Sequence, residues 1–146
     1  VGLDLVRTRL DGAGDPAGAR LQTDGWEPWA PAAIDAALAD GDPVLVVFSA
    51  DWCITCKLNE STVLRSTRVR SELDRLGVRV FKADWTRRDE TIRAELARHG
   101  RAGVPLYLVY DPRSPDQPAI LPELLSVGDV VESLRAAAGA RTGTTS

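Results

Sequence analysis

Methionine is absent from all 146 residues, position 1 included; histidine occurs once, at His99, and cysteine twice. A chain without an initiator residue reads as an excised piece or processed product of a longer protein, so targeting and membrane regions are expected to have been cut away. The first ten residues alternate charged and apolar, which is not the pattern of a secretory signal. No apolar run approaches the roughly 20 residues needed to span a bilayer. A net charge of −3 with no basic cluster leaves no electrostatic footprint for nucleic acid, and none is expected as a partner. Two cysteines so close together cannot staple a fold, because closing so short a loop removes little unfolded-state entropy. Such a pair could cycle in the cytosol or outside it, so the cysteine count leaves the compartment open. What is present, 44% hydrophobic and 27% charged residues, suits one globular domain with a proper core.

Residues 1–24 carry Gly12, Gly14, Pro16 and Gly18 among polar residues and read as a linker or flexible lead-in. Trp26 and Trp29 are read as hydrophobic anchors onto the domain. A short helix is expected over Ala32–Ala39, ended by Gly41 and Pro43. Val44-Leu45-Val46-Val47-Phe48 is apolar and β-branched without alternation, the signature of a strand buried on both faces. Lys57 to Leu64 should be helical, and Val69 to Leu76 its continuation or a second short helix stopped by Gly77. A strand follows over Val78–Ala83, with Val78, Val80 and Phe81 inward. A helix is then expected over Asp89–His99, stopped by Gly100, and a strand over Leu106–Tyr110. Asp111–Pro118 is a proline-rich turn, Pro118–Leu125 holds a last edge strand, and Val127–Ala138 is the closing helix. Residues 140–146 read as a flexible tail. Strands alternating with helices predict an α/β domain over 25–139, a central sheet with helices on both faces.

The chemistry centres on Cys53-Ile54-Thr55-Cys56, set between the strand pattern and the helix pattern. At a helix N-terminus, unpaired backbone N–H groups and the helix dipole favour a thiolate, the species that attacks a disulfide. Cys53, the more exposed position, is assigned as nucleophile, and Cys56, further in, as the resolving thiol. Ile54 and Thr55 should tune the thiolate, Thr55 by offering a hydroxyl and an N–H to sulfur. Cys-x-x-Cys is also half a zinc site, but no second pair completes four ligands, and no metal is expected. His99 lies at a helix C-terminus, where it caps or is solvated. An inert pair of buried thiols is the plainest competing reading. Val104-Pro105 opens the strand Leu106-Tyr107-Leu108. Pro105 is either a tolerated first strand residue or a cis-proline beside the thiols, with Val104 offering backbone groups to a peptide. Glu60 lies four residues after Cys56, on the same helix face; it is either an acid–base group for Cys56 or an exposed glutamate.

The segment from Phe48 to Lys57, containing Trp52-Cys53-Ile54-Thr55-Cys56, together with Gly103-Val104-Pro105, resembles the thioredoxin superfamily. It is more closely similar to the C-terminal periplasmic domain of DsbD-type thiol:disulfide interchange proteins, and most similar there to the copper-sensitivity suppressor (ScsB) branch. The markers are Asn59-Glu60, Lys82-Ala83-Asp84-Trp85-Thr86, Val104-Pro105-Leu106-Tyr107 and Leu121-Pro122-Glu123, over a span from Trp26 to Leu134. The resemblance implies a thioredoxin fold and a protein-disulfide reductase. Such a domain takes electrons from a membrane electron-transfer domain of the same parent protein. It passes them to periplasmic thioredoxin-like proteins with oxidised cysteines. The resemblance also implies a cis Pro105, an acid–base role for Glu60, a periplasmic location, and no cofactor besides the redox-active Cys53–Cys56 disulfide. Trp52, Ile54, Thr55, Val104 and Pro105 become the expected substrate-binding residues. One departure stands out: many family members carry an aspartate six residues before the first cysteine, and here that position is Val47. The rival readings are an oxidase or isomerase of higher potential, and a redox-silent module that holds a peptide at Pro105.

Overall fold

Val44–Ser49 (β2) is buried at every position and bonded on both sides, so the architecture is built outward from it. The computed structural model describes residues 25–139; the expectations for 1–24 and 140–146 lie outside the described residues. The elements before and after β2 are β1 (Glu27–Pro28), α1 (Pro31–Ala39), α2 (Ile54–Asn59), a π-helical turn (Glu60–Leu64) and α3 (Thr67–Leu76). They continue with β3 (Arg79–Asp84), α4 (Glu90–Arg98), β4 (Leu106–Tyr110), β5 (Ala119–Ile120) and α5 (Val127–Ala138). The sheet order is β1-β3-β2-β4-β5. β3 lies parallel to β1 and β2, while β4 runs antiparallel to β2 and β5.

The unbroken apolar run of β2 is explained by its two neighbourhoods, because successive side chains point to opposite faces. Val44, Val46 and Phe48 pack with Ile34 and Leu38 of α1 and Ile92 and Leu96 of α4. Leu45 and Val47 pack on the other face with Val69, Leu73 and Leu76 of α3 and Val130 and Leu134 of α5. The two tryptophans before α1 divide between the faces: Trp26 joins the α3–α5 core, while Trp29 packs against the α1–α4 core, its ring 5.9 Å from that of Phe48.

Helix boundaries follow local chemistry. Pro31 opens α1, where its missing N–H is no loss. Ser66, Asp89 and Ser126 each cap a helix by accepting from a backbone N–H three residues on. Gly77 ends α3 in the left-handed region at φ 69°, and the Ser66 cap starts α3 as a second helix rather than a continuation of the one before it. His99 stands at the C-terminal cap of α4, with its ring against Glu95 at 3.1 Å.

Two features differ from the sequence expectation. β1 was not foreseen, because two residues ending in a proline carry no alternation; an edge position tolerates that proline. It is held by Arg79, which donates to both Glu27 carboxylate oxygens at 2.8 and 3.0 Å. The helical stretch after the cysteines is also not uniform, since α2 passes into a π-helical turn closed by Arg65 N–H donating to the Glu60 carbonyl at 2.9 Å.

Helices α3 and α5 are tied by Glu72, which accepts from Arg75 at 2.8 Å and from Arg135 at 3.0 and 3.2 Å. Hydrogen bonds first from Arg135 and then from Arg75 hold its carboxyl down at about 2. A depressed folded-state value contributes stability above the ordinary 4.5, and that contribution is lost as the pH falls towards about 2. Glu72→Gln is expected to lower stability by about 1 kcal/mol at neutral pH, since both arginines are half exposed. The gap to wild type should close in acid; urea unfolding of both proteins at pH 7 and in acid checks it.

Candidate active site

Strand directions gather the site at one end of the sheet. The last residues of β2 pair with the last of β3, Ser49 with Asp84, and with the first of β4, Phe48 with Leu106. Three chain segments therefore leave or enter the sheet side by side. They are the 50–53 segment after β2, the 85–86 segment after β3, and Val104–Pro105 before β4. Ala50, Cys53 and Cys56 form a small buried cluster against which Val104 packs. The Val104–Pro105 peptide bond is cis.

Cys53 and Cys56 are joined as a disulfide, with their Cα atoms 5.3 Å apart. Cys53 is the cap of α2, and its sulfur accepts from the Cys56 N–H at 3.1 Å. Thr55, which the sequence offers as a further donor to sulfur, is exposed. Cys53 was also expected to be exposed. It is the more accessible of the pair, but at only 7% against 0% for Cys56, because Ala50 and Val104 cover it. Around this small opening stand Trp52 at 45% and Ile54 at 84% exposure, so the rim is apolar.

Trp52 is held although it is exposed. Its Nε1–H donates to the Thr86 carbonyl at 3.0 Å, and its ring lies 6.0 Å from that of Trp85. Arg88 lies over both rings, at 4.4 Å from Trp52 and 5.3 Å from Trp85. The Thr86 hydroxyl accepts from the Asp51 N–H at 2.9 Å, and Trp85 N–H donates to the Ser49 carbonyl at 2.7 Å. Arg88 adopts φ 55°, a conformation that a side-chain-bearing residue seldom takes.

Glu60 is not an exposed helix residue, since it is 5% exposed. A buried carboxylate needs partners. Ser49 Oγ donates to Glu60 Oε2 at 2.7 Å, and Lys82 Nζ lies 3.8 Å from Oε1. Lys82 is the register partner of Val47. Tyr107, fully buried, is pushed up to about 12 by burial, only partly offset by its hydrogen bond from Asn59, while the nearby Glu60 charge pushes the same way. It stays a neutral phenol in this setting.

Ser49, Lys82, Arg88 and the Asp84–Thr86 segment have roles the sequence reading did not assign. Its markers included Lys82-Ala83-Asp84-Trp85-Thr86, but a marker does not say what a residue touches. One local signal was available: Cys56, Asn59, Glu60, Val63 and Leu64 are spaced as one helix face, so two polar residues fall on a face that is otherwise buried. Among the described residues, no group of three or more His, Cys, Asp or Glu is placed to hold a metal ion.

A disulfide at the start of a helix, packed against the residue that precedes a cis-proline at one end of a mixed sheet, defines the class: a thiol:disulfide oxidoreductase. A thioredoxin-like family model matches residues 25–112, and the chain belongs to that family. Among curated relatives, thiol:disulfide interchange protein DsbD 1 of Pseudomonas aeruginosa is 38% identical over 86 residues, which are 56% of this chain and 14% of that protein. DsbD of Ralstonia nicotianae is 34% identical over 107 residues, 73% of this chain and 17% of that protein. The chain thus spans a small part of the length of these relatives. Among solved structures, the reduced C-terminal domain of Neisseria meningitidis DsbD is 28% identical with a TM-score of 0.60; the match covers 84% of this chain and 96% of that one. A thioredoxin from Thermus thermophilus, at 22% identity, TM-score 0.62, and coverage of 81% and 91%, shares the fold.

After reduction, the Cys56 N–H and the start of α2 should favour the Cys53 thiolate. Iodoacetamide is expected to label Cys53 with a titration below the free-thiol value of about 8.5, and to label Cys56 far more slowly. Alkylation rates against pH, with the label located by mass spectrometry, check this; equal labelling of both thiols near the free value would contradict it.

Proposed function

We propose that this domain is a protein-disulfide reductase. In this reading it takes two electrons from a membrane-embedded redox domain of the same parent protein and delivers them to periplasmic thioredoxin-like proteins with oxidised cysteines. The observation that carries it is the Cys53–Cys56 disulfide, its nucleophile slightly open and its resolving thiol fully buried, beside Val104–Pro105. Similarity to DsbD interchange proteins, and to a solved DsbD C-terminal domain over nearly that domain's whole length, supports the electron route and the periplasmic side. No described helix is long and apolar enough to cross a membrane. The copper-sensitivity suppressor assignment is part of the proposal and rests on the motifs Asn59-Glu60, Lys82-Ala83-Asp84-Trp85-Thr86, Val104-Pro105-Leu106-Tyr107 and Leu121-Pro122-Glu123.

The exchange runs through the reduced form. Cys53 thiolate attacks one sulfur of the partner's disulfide; the partner S–S bond breaks, its second sulfur leaves as thiolate, and a mixed disulfide forms. Cys56, deprotonated, then attacks Cys53 Sγ. The mixed disulfide breaks, the partner leaves as a dithiol, and the Cys53–Cys56 disulfide is restored. Two electrons pass to the partner, and the upstream dithiol restores them. Trp52, Ile54 and Thr55 on one side and Val104 and Pro105 on the other are the surfaces against which the partner lies. Glu60 takes the proton of Cys56, with Ser49 and Lys82 holding its carboxylate in place.

Two measurements test this reading. The reduction potential of the pair is expected near or below about −200 mV, in the range of electron donors; a value near about −120 mV would indicate an oxidase instead. Glutathione redox titration with thiol trapping measures it, and a pair that does not exchange at all would leave a peptide-binding module. Glu60→Gln is expected to slow exchange by about 100-fold at neutral pH, with the deficit shrinking as the pH nears the free-thiol value of about 8.5 and solvent takes over deprotonation. Stopped-flow rates equal to wild type from pH 6 to 8 would remove Glu60 from the mechanism.

A further inference from the structure

Asn59 has no part in the exchange chemistry, yet it is 1% exposed and lies three residues after Cys56. A buried amide costs free energy unless its donors and acceptor are engaged. Asn59 engages them far along the chain. Its Nδ2 donates to Tyr107 Oη at 2.9 Å and to the Glu123 carbonyl at 2.6 Å, and its Oδ1 accepts from the Leu125 N–H at 3.1 Å. One side chain therefore holds β4 and the 123–125 segment against the helix that carries the disulfide.

Both attachments lead to the Pro105 edge. Tyr107 is two residues beyond Pro105, in the strand that Pro105 leads into. The Glu123 carboxylate accepts from Arg101 Nη1 at 2.9 Å, and that nitrogen also donates to the Pro105 carbonyl at 3.4 Å. Leu124, between the two residues whose backbone Asn59 holds, is 67% exposed. An apolar side chain is thus presented to solvent from a backbone pinned on both sides. Ile54 and Leu58 on α2, at 84% and 49% exposure, are presented from the helix to which that segment is pinned.

We propose that Asn59 is a positioning residue for partner binding. It sets the Pro105 edge and Leu124 relative to the Cys53–Cys56 disulfide, so that an extended polypeptide bearing a disulfide meets both in register. This rests on the exchange reading above. The geometry explains why an amide is needed: an apolar side chain of similar size would fill the space but could orient neither the Glu123 carbonyl nor the Leu125 N–H. The effect belongs to polypeptide partners, because a small disulfide has no extended chain to lay along the Pro105 edge.

The test compares wild type, Asn59→Leu and Arg101→Gln by saturation kinetics with two probes. One probe is oxidised glutathione; the other is a synthetic peptide whose cystine is flanked by extended residues. The KM for the peptide is expected to rise about tenfold in Asn59→Leu and about threefold in Arg101→Gln, while kcat changes less than about twofold. In each variant the rise for the peptide should exceed that for glutathione. Arg101 is a partly exposed side chain, so its variant keeps the test open if Asn59→Leu does not fold. Loss through kcat with KM held, or equal loss on both probes, overturns the proposal and leaves Asn59 a fold residue. Wild type that exchanges with neither probe overturns the exchange reading instead.

Discussion

The register of β2 against β3 and β4 is the constraint on which the site depends. β2 is buried along its whole length and hydrogen-bonded on both sides, so shifting it by one residue would send every one of its side chains to the wrong core. With that register held, Ser49 stands beside Asp84 and Phe48 beside Leu106. The start of α2, the Asp84–Thr86 segment and the Val104–Pro105 turn then have to meet. Parallel pairing on one side and antiparallel pairing on the other bring two strand ends and one strand beginning to the same edge. A mixed sheet is what allows the disulfide and the cis-proline turn to meet from segments some fifty residues apart.

Around the disulfide, the polar groups are buried and partnered rather than exposed. Glu60 is held by Ser49 and Lys82, and Asn59 by Tyr107 and the 123–125 backbone; Trp52, which is exposed, is held by Thr86 and Arg88. Breaking a buried pair by removing one partner costs more than the pair contributes, because the remaining group is left without a partner. Such networks fix directions as well as distances, which an apolar core does only loosely. Val47 contributes an apolar side chain to the α3–α5 core, and the buried carboxylate of the site, Glu60, comes from the helix face.

Features set by neighbouring residues were legible in the sequence. The strand Leu106–Tyr110 and the helix Val127–Ala138 lie where apolar pattern and turn residues put them, and the stop at Gly77 follows from its left-handed backbone. The Cys53-to-Cys56 spacing, with a strand before it and a helix after, pointed to exchange chemistry without coordinates. β1 was not legible, since its two residues are a strand only because β3 offers an open edge. The π-helical turn was equally hidden, because α-helical and π-helical turns share the same amphipathic pattern at this length.

By itself the sequence determined the elements other than β1 and the π-helical turn, the redox pair and the polarity of each helix face, because these depend on propensity and periodicity within a few residues. Only the tertiary structure decided what Asn59, Glu60, Ser49, Lys82 and Arg101 touch. Their partners lie between 11 and 66 residues away along the chain, apart from the short step from Arg101 to Pro105, and become neighbours only when the sheet closes. Burial then turns an ordinary polar side chain into one that must find a specific partner. No local pattern encodes which partner that is.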